Sequence, residues 1–249
     1  MSVIERATAI PLASFPYSST SRVVHWLTRH HGKISTLLKG AMRPKSPFLG
    51  EYDLFSTSEL LYFAKRTHTL HTGKECAMIH RRDAFRTDWR AMQTASYLSA
   101  LFDKTTPEEA PQPELFELYE ELLDLAEEYG CHPHFLIWAE LRFCHQQGHA
   151  PNFDSCVLCS AKTNLRFCAS QGGVICTACS KDRKLPILEC PPDVFAILRA
   201  WQRSDHPATV VKTQLSGKQL TTLNVLMGTF MMYQFGLPLD HRNVALQAA

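Results

Sequence analysis

Short apolar runs separated by turn residues make up the first 75 residues of the chain. These runs are rich in β-branched and aromatic residues, which predicts strands, and His31-Gly32 supplies a tight turn between the second and third runs. The five predicted strands cover residues 4–15, 21–29, 33–39, 52–64 and 67–72. Five short strands and one longer basic loop near residues 43–47 suit a small β-barrel of the OB type, with an SH3-like barrel as the alternative.

After residue 75 the apolar positions recur every three or four residues, which predicts amphipathic helices. The predicted helices cover residues 83–102, 114–130, 134–145, 192–203 and 219–235. A break rich in proline and acidic residues separates the first two. The glutamates of the second helix are assigned to a solvated outer face.

Four of the nine cysteines form two C-x-x-C pairs, with 16 residues between the pairs. Two such pairs can surround one tetrahedral metal ion with four thiolates, so Cys156, Cys159, Cys176 and Cys179 predict a structural Zn²⁺ site. The alternatives are four ordinary thiols or a redox dithiol. The segment 165–175 between the pairs predicts a small hairpin, and Cys168 within it is predicted to be a small buried residue.

The pattern as a whole predicts an α+β multidomain chain, in which an N-terminal OB-fold barrel is followed by a helical domain with an inserted four-cysteine zinc module. The predicted divisions are a DNA-binding barrel at 1–75, a helical bundle at 76–150, the zinc-binding module at 151–186 and C-terminal helices at 187–249 that pack on the bundle.

Charge is distributed unevenly along the chain. Residues 1–50 hold seven basic residues and one acidic residue, whereas residues 91–150 hold two basic and eleven acidic ones. A segment that is basic almost without counter-charge attracts polyanions, and nucleic acid is the expected one. The candidate DNA-binding residues are Arg22, Arg29, Lys33, Lys39, Arg43, Lys45 and, for base stacking, Tyr17. Trp26 is predicted to be a core residue, and Phe48 is left open between core and surface.

Several functional classes find no support in the sequence. No apolar run is long enough for a membrane span, and Glu5 and Arg6 interrupt any N-terminal signal segment, so a cytoplasmic location is expected. The chain has no G-x-x-x-x-G-K-[ST], H-E-x-x-H or G-x-S-x-G motif, and a four-thiolate site leaves no open position for catalytic water. We therefore predict a binding protein and not an enzyme.

Three basic segments carry a family resemblance: residues 17–24 (YSSTSRVV), 27–33 (LTRHHGK) and 39–46 (KGAMRPKS). With the later cysteine pairs and the Gly172-Gly173-Val174-Ile175-Cys176 segment, they resemble the RecO family of bacterial recombination mediators. The order of barrel, helices, zinc module and helices is similar over nearly the whole chain.

This resemblance implies a DNA repair and recombination mediator that binds single- and double-stranded DNA and anneals complementary strands. The implied partners are RecR, the C-terminal tail of single-strand-binding protein and, indirectly, RecA, which the mediator helps to load onto coated DNA. The implied location is the bacterial cytoplasm, in association with the nucleoid. An RNA-binding or protein-assembly factor with a zinc ribbon and a small barrel is the alternative function.

Overall fold

A computed structural model describes residues 3–65 and 70–248. The chain forms two compact units, Met1–Glu128 and Tyr129–Ala249. Among the described residues, no helix combines the length and the apolar character that crossing a membrane requires.

The first unit begins with a closed five-stranded barrel. Its strands are β1 (Val3–Pro16), β2 (Arg22–Thr28), β3 (Gly32–Leu38), β4 (Thr57–Ala64) and β5 (Leu70–His80). They close in the order β1-β2-β3-β5-β4, in which β3 and β5 are parallel and the other pairs are antiparallel. This order confirms the OB-type barrel over the SH3-like alternative. Of the predicted fifth strand, residues 67–69 lie outside the described residues, and the strand continues to His80, past its predicted end.

The barrel interior is filled by the alternate side chains that face inward from its strands. Trp26 is fully buried there, as predicted, and its indole N–H donates a hydrogen bond of 2.8 Å to Thr36 Oγ1. Gly32 turns the chain between β2 and β3 with a φ of +70°, and a side chain at this position would collide with the backbone of Ala110. The predicted His31-Gly32 turn is therefore also a point of close packing.

Three helices complete the first unit: α1 (Ala84–Thr87), α2 (Trp89–Thr105) and α3 (Pro113–Tyr129). The Asp88 side chain caps α2 by accepting hydrogen bonds from the N–H groups of Arg90 and Ala91. Helices α2 and α3 meet where the rings of Phe102 and Tyr119 lie 4.5 Å apart.

The acidic face of α3 is only partly solvated. Glu114, Glu117, Glu121 and Glu128 are exposed, as predicted. The prediction is wrong for Glu120, whose carboxylate accepts hydrogen bonds from Thr57 of the barrel (3.0 Å) and from Arg29 (3.3 Å). It is also wrong for Glu127, whose carboxylate accepts a hydrogen bond from the Ala84 N–H (3.1 Å). The three- and four-residue periodicity of a helix shows which residues lie opposite its apolar face. It does not show whether another strand or helix packs against those residues.

The second unit is built around α4 (Pro133–Gln146), which is buried along most of its length. Around it lie α6 (Pro192–Gln202), α7 (Pro207–Val210), α8 (Gly217–Phe235) and α9 (Asp240–Ala248). Glu140 of α4 and Arg242 of α9 form a buried two-pronged ion pair with N–O distances of 2.6 and 2.9 Å. Fork-to-fork pairing of this kind fixes the orientation of both side chains and so fixes α9 against α4.

A small module separates α4 from α6 in sequence. It contains β6 (Leu165–Cys168), β7 (Gly173–Cys176) and α5 (Thr177–Arg183), and β6 and β7 form the predicted antiparallel hairpin. Phe153 and Phe167 of the module stack with ring centroids 5.9 Å apart. Phe153 also stacks on Phe195 of α6, and Phe167 contacts Phe230 of α8, so the module is packed onto the helices of its own unit.

The compact units group the helices differently from the predicted divisions at residues 75, 150 and 186. Helices α2 and most of α3 fall with the barrel because they share contacts with it, while the module falls with the C-terminal helices. Whether each predicted segment folds by itself stays a prediction.

Candidate metal centre and nucleic-acid interface

Both cysteine pairs lie at tight turns of the backbone. In the first pair, the Cys156 carbonyl accepts a hydrogen bond of 2.8 Å from the Ser160 N–H, and the Cys156 N–H donates to the Ala161 carbonyl, also at 2.8 Å. In the second pair, Cys176 ends β7 and directly precedes α5, so that Cys179 lies in the first turn of that helix. Each turn directs two thiols toward the same point.

The four sulfurs converge in the structure. The Sγ atoms of Cys156, Cys159, Cys176 and Cys179 all lie within 4.8 Å of one another, and Cys159 Sγ is 3.6 Å from Cys176 Sγ. A zinc–sulfur bond of about 2.3 Å in a tetrahedron places sulfurs about 3.8 Å apart. The spacing therefore fits one tetrahedral thiophilic ion, and this cluster could hold a metal ion.

The four thiols divide into two whose pKa is lowered, Cys156 and Cys176, and two whose pKa is raised, Cys159 and Cys179. At Cys179 the hydrogen bonds with the neighbouring thiols raise the pKa to about 12. Burial opposes ionisation of Cys156, but hydrogen bonds from the backbone N–H groups of Cys176, Leu158 and Cys159 outweigh it and lower the pKa of this thiol to about 6. At Cys176 the backbone hydrogen bond from Cys179 is the main cause that lowers the pKa.

The apolar core of the module is small. The cluster beside the four thiols contains the buried residues Cys156, Cys168, Ile175 and Cys176, with partly buried residues packed around them, whereas Phe153 and Phe167 are buried against the helices. Cys168 is fully buried and lies outside the cluster of four, as predicted. A core of this size supplies little folding free energy, so a metal ion at the four thiolates would act as the cross-link that holds the module together.

The predicted DNA-binding residues separate into two groups. Lys39, Arg43 and Lys45 are exposed in the loop after β3, and Arg22 is half-exposed at the start of β2. The structure shows no ion pair for any of these four within residues 3–65 and 70–248. The loop is joined to the β1–β2 turn by hydrogen bonds from Met42 N–H to the Thr20 carbonyl (2.9 Å) and from Gly40 N–H to Ser21 Oγ (3.1 Å). We call Arg22, Lys39, Arg43 and Lys45 the basic surface.

Lys33 and Arg29 lie elsewhere and have acidic partners. The Lys33 ammonium is largely buried and donates to the Asp103 carbonyl at 2.5 Å, with the carboxylates of Asp103 and Glu108 at 3.6 and 3.5 Å. Arg29 pairs with Glu120 at 3.3 Å and lies over the Phe116 ring, 5.2 Å from its centroid. Both side chains are thus held by acidic partners within the first unit, and their contact with DNA stays a prediction.

The aromatic candidates also separate. Tyr17 is 62% exposed beside the basic surface, whereas Phe48 is buried in the barrel core. Sequence reasoning missed the exposed apolar side chains Phe15, Met42 and Leu49 at the same end of the barrel. Met42 and Leu49 lie within the basic, proline-containing segment 39–49, and this loop-like setting was the signal in the sequence that could have indicated their exposure.

Comparison with known proteins covers nearly the entire chain. Residues 1–82 match the family described as Recombination protein O N terminal, and residues 86–242 match Recombination protein O C terminal. A relative from Myxococcus xanthus named DNA repair protein RecO is 30% identical over 227 residues, which is 88% of this chain and 89% of that protein. Proteins of the same name from Syntrophus aciditrophicus and Bacillus pumilus are 30% and 33% identical over 85% and 80% of this chain and 77% of each relative. The two family matches together cover nearly all of the chain, and they are consistent with its OB-type barrel and its four-cysteine module between helices. The chain belongs to the RecO family of DNA repair and recombination proteins.

Proposed function

We propose that this chain is a recombination mediator, not an enzyme, that binds single- and double-stranded DNA at the basic surface and anneals complementary strands. The observation that supports this most directly is that Arg22, Lys39, Arg43 and Lys45, at one end of the barrel, form no ion pair with any residue that the structure describes. An unpaired cation can exchange its counterions for a phosphate without first breaking an internal ion pair.

We propose further that the protein acts with RecR and with the C-terminal tail of single-strand-binding protein, and that it helps to load RecA onto coated DNA. Family membership supports these partners, as it supports a cytoplasmic location in association with the nucleoid.

Annealing of complementary oligonucleotides, followed by fluorescence, tests the proposal. The wild type should accelerate annealing of naked strands and of strands coated with the cognate single-strand-binding protein. A variant with Lys39→Ala, Arg43→Ala and Lys45→Ala should lose most of the acceleration because phosphate contacts are removed. The matched control is Lys218→Ala, an exposed lysine of α8. Binding without annealing would favour the RNA-binding or assembly function, and full activity of the triple variant would place the DNA site elsewhere.

We propose Zn²⁺ as the ion held by Cys156, Cys159, Cys176 and Cys179, supported by the sulfur spacing. When bound, the ion supplies a structural cross-link and no catalytic water, because four thiolates fill its coordination sphere. Elemental analysis of protein purified without chelator should find about one zinc per chain.

Cys176→Ser should lose that zinc and much of the module's protection against proteolysis, since the remaining core is small. Cys131→Ser, a partly exposed cysteine outside the cluster, is the control and should keep both. Zinc well below half an equivalent in the wild type, or retention of full protection by metal-free Cys176→Ser protein, would contradict a structural zinc site.

A further inference from the structure

Among the exposed large apolar side chains of the first unit, four lie beside the β1–β2 turn or within residues 39–49, the segments that carry the basic surface. The exposed fractions are 46% for Phe15, 62% for Tyr17, 47% for Met42 and 54% for Leu49. Single exposed apolar residues are ordinary on protein surfaces, but a group of them marks a contact site. We call these four residues the apolar patch.

Hydrogen bonds hold the segments that carry the patch together. Phe15 pairs with Val23 near the end of the β1–β2 ladder. In the turn that follows, the Tyr17 N–H donates a hydrogen bond of 3.0 Å to the Ser21 carbonyl. Met42 is joined to the same turn by its N–H bond to Thr20, and its sulfur accepts a hydrogen bond of 3.5 Å from the Tyr52 hydroxyl. Leu49 follows the buried Phe48, which anchors that part of the loop in the barrel core.

The charge around the patch defines the chemistry of its partner. No acidic residue occurs between residues 6 and 50, the stretch that contains both the patch and the four cations of the basic surface, and the next residue, Glu51, directs its carboxylate to the Met78 N–H. A partner that covers both groups must therefore offer negative charge together with apolar faces. Unstacked nucleic acid offers both, because each phosphate is followed by a base with two exposed faces. A duplex offers the phosphates but keeps its base faces stacked inside.

We propose that Phe15, Tyr17, Met42 and Leu49 contact unstacked bases, and that this contact makes the end of the barrel bind single strands more tightly than duplex. The inference rests on the proposed DNA binding at the basic surface and adds its specificity. The cations hold the phosphates of either form, and the apolar patch distinguishes between the forms.

Three nucleic acids of equal length test the proposal with the full chain: a single strand, its duplex and a single strand of abasic sites. Tyr17→Ala and the double variant Met42→Ser with Leu49→Ser should each weaken binding to the base-bearing strand by about fivefold or more. Binding to duplex and to the abasic strand should change by less than about twofold, and the salt dependence should stay the same because no phosphate contact is lost. Tyr17→Phe should behave as the wild type, since it keeps the ring.

Met232→Ser is the control, because Met232 has a similar exposed fraction of 44% on α8. The proposal is overturned if the variants lose affinity for all three ligands equally or for none. It is also overturned if the wild type binds vesicles of phosphatidylserine and phosphatidylcholine as tightly as the single strand and the variants lose only that binding, because the patch would then serve a membrane surface. Failure of this proposal can be distinguished from failure of the proposed DNA binding by the variants Lys39→Ala and Arg43→Ala, which probe phosphate contacts alone. If their binding is less salt-dependent than that of the wild type, DNA binds at the basic surface even where the apolar patch has no role.

Discussion

Basic residues of the first unit occupy two regions with opposite surroundings. Lys33, Arg29 and Arg82 face the acidic residues of α2, α3 and the segment that joins them, whereas the basic surface of Arg22, Lys39, Arg43 and Lys45 has no acidic partner among the described residues. The same residue types thus stabilise the fold in one region and remain available to a ligand in the other. A count of charges along a sequence cannot distinguish the two.

Arg82 shows how far the first region is committed to structure. Its side chain is fully buried, and it donates to Asp124 Oδ1 at 2.6 Å and to the Phe55 carbonyl at 2.6 Å. Within the described residues its Nη2 atom is buried without a hydrogen-bond partner, so the bonds made by Nε and Nη1 are what offset the cost of burying the guanidinium. The side chain is therefore held by its partners and is not free to bind phosphate.

The largest expected effect follows from removing that arginine. Arg82→Ala leaves the buried Phe55 carbonyl without its donor and breaks the pair with Asp124, and we expect a loss of about 3 kcal/mol in the free energy of unfolding, measured by urea denaturation. Arg86→Ala is the matched control, because Arg86 also pairs with an aspartate, Asp53, but is exposed; its loss should stay below about 1 kcal/mol. Equal losses in the two variants would remove the distinction between buried and exposed arginines.

A second prediction concerns the salt dependence of DNA binding. Lys39→Ala and Arg43→Ala should each reduce the slope of log affinity against log salt for single strands by about 0.7, which corresponds to one phosphate contact. Lys33→Met should leave the slope unchanged, because the Lys33 ammonium is held by Asp103 and Glu108. A reduced slope for Lys33→Met, or unchanged slopes for the other two, would reverse the assignment of the two regions.

The smallest expected effect is on the pH dependence of stability. Burial opposes ionisation of Asp103, but the hydrogen bond from His25 (2.9 Å) and the charges of His25 and Lys33 together lower the pKa of its carboxyl. A lowered pKa in the folded state stabilises the fold above the ordinary aspartate pKa of about 4, and this contribution is lost as pH falls below it. The difference in unfolding free energy between the wild type and Asp103→Asn should therefore shrink between about pH 5 and pH 3. A metal ion held by the four cysteines would be lost alike from both proteins over this range, so a constant difference would contradict the contribution of Asp103.

Sequence patterns predicted the local features of this molecule well. The barrel strands and the core position of Trp26 follow from short-range alternation, and the four-cysteine cluster follows from residue chemistry and spacing within 24 residues, from Cys156 to Cys179. Each of these depends on residues that are close in the chain or on a ligand set with few geometric solutions.

The sequence did not predict which basic residues have internal acidic partners, because these ion pairs join residues that are far apart in the chain. Lys33 contacts Asp103, 70 residues away, and Arg29 contacts Glu120, 91 residues away. Nothing near Lys33 in sequence distinguishes it from Lys39, which remains exposed. The choice between internal partner and ligand is made by where α2 and α3 lie on the barrel, and helical periodicity does not contain that information.

The chain's entry into and exit from the cysteine module close both edges of its hairpin. On one side Asn152 exchanges hydrogen bonds with Gly172 and Val174 (3.0 and 2.8 Å), and Gly173 lacks the side chain that would collide with the Asn152 backbone. On the other side Leu188 exchanges two hydrogen bonds with Phe167, at 2.9 and 3.2 Å. An unpaired strand edge is a template for self-association, and here the flanking segments cover it. If a metal ion at the four cysteines holds the hairpin, its removal by a chelator should release both flanks at once and increase self-association, measured by light scattering.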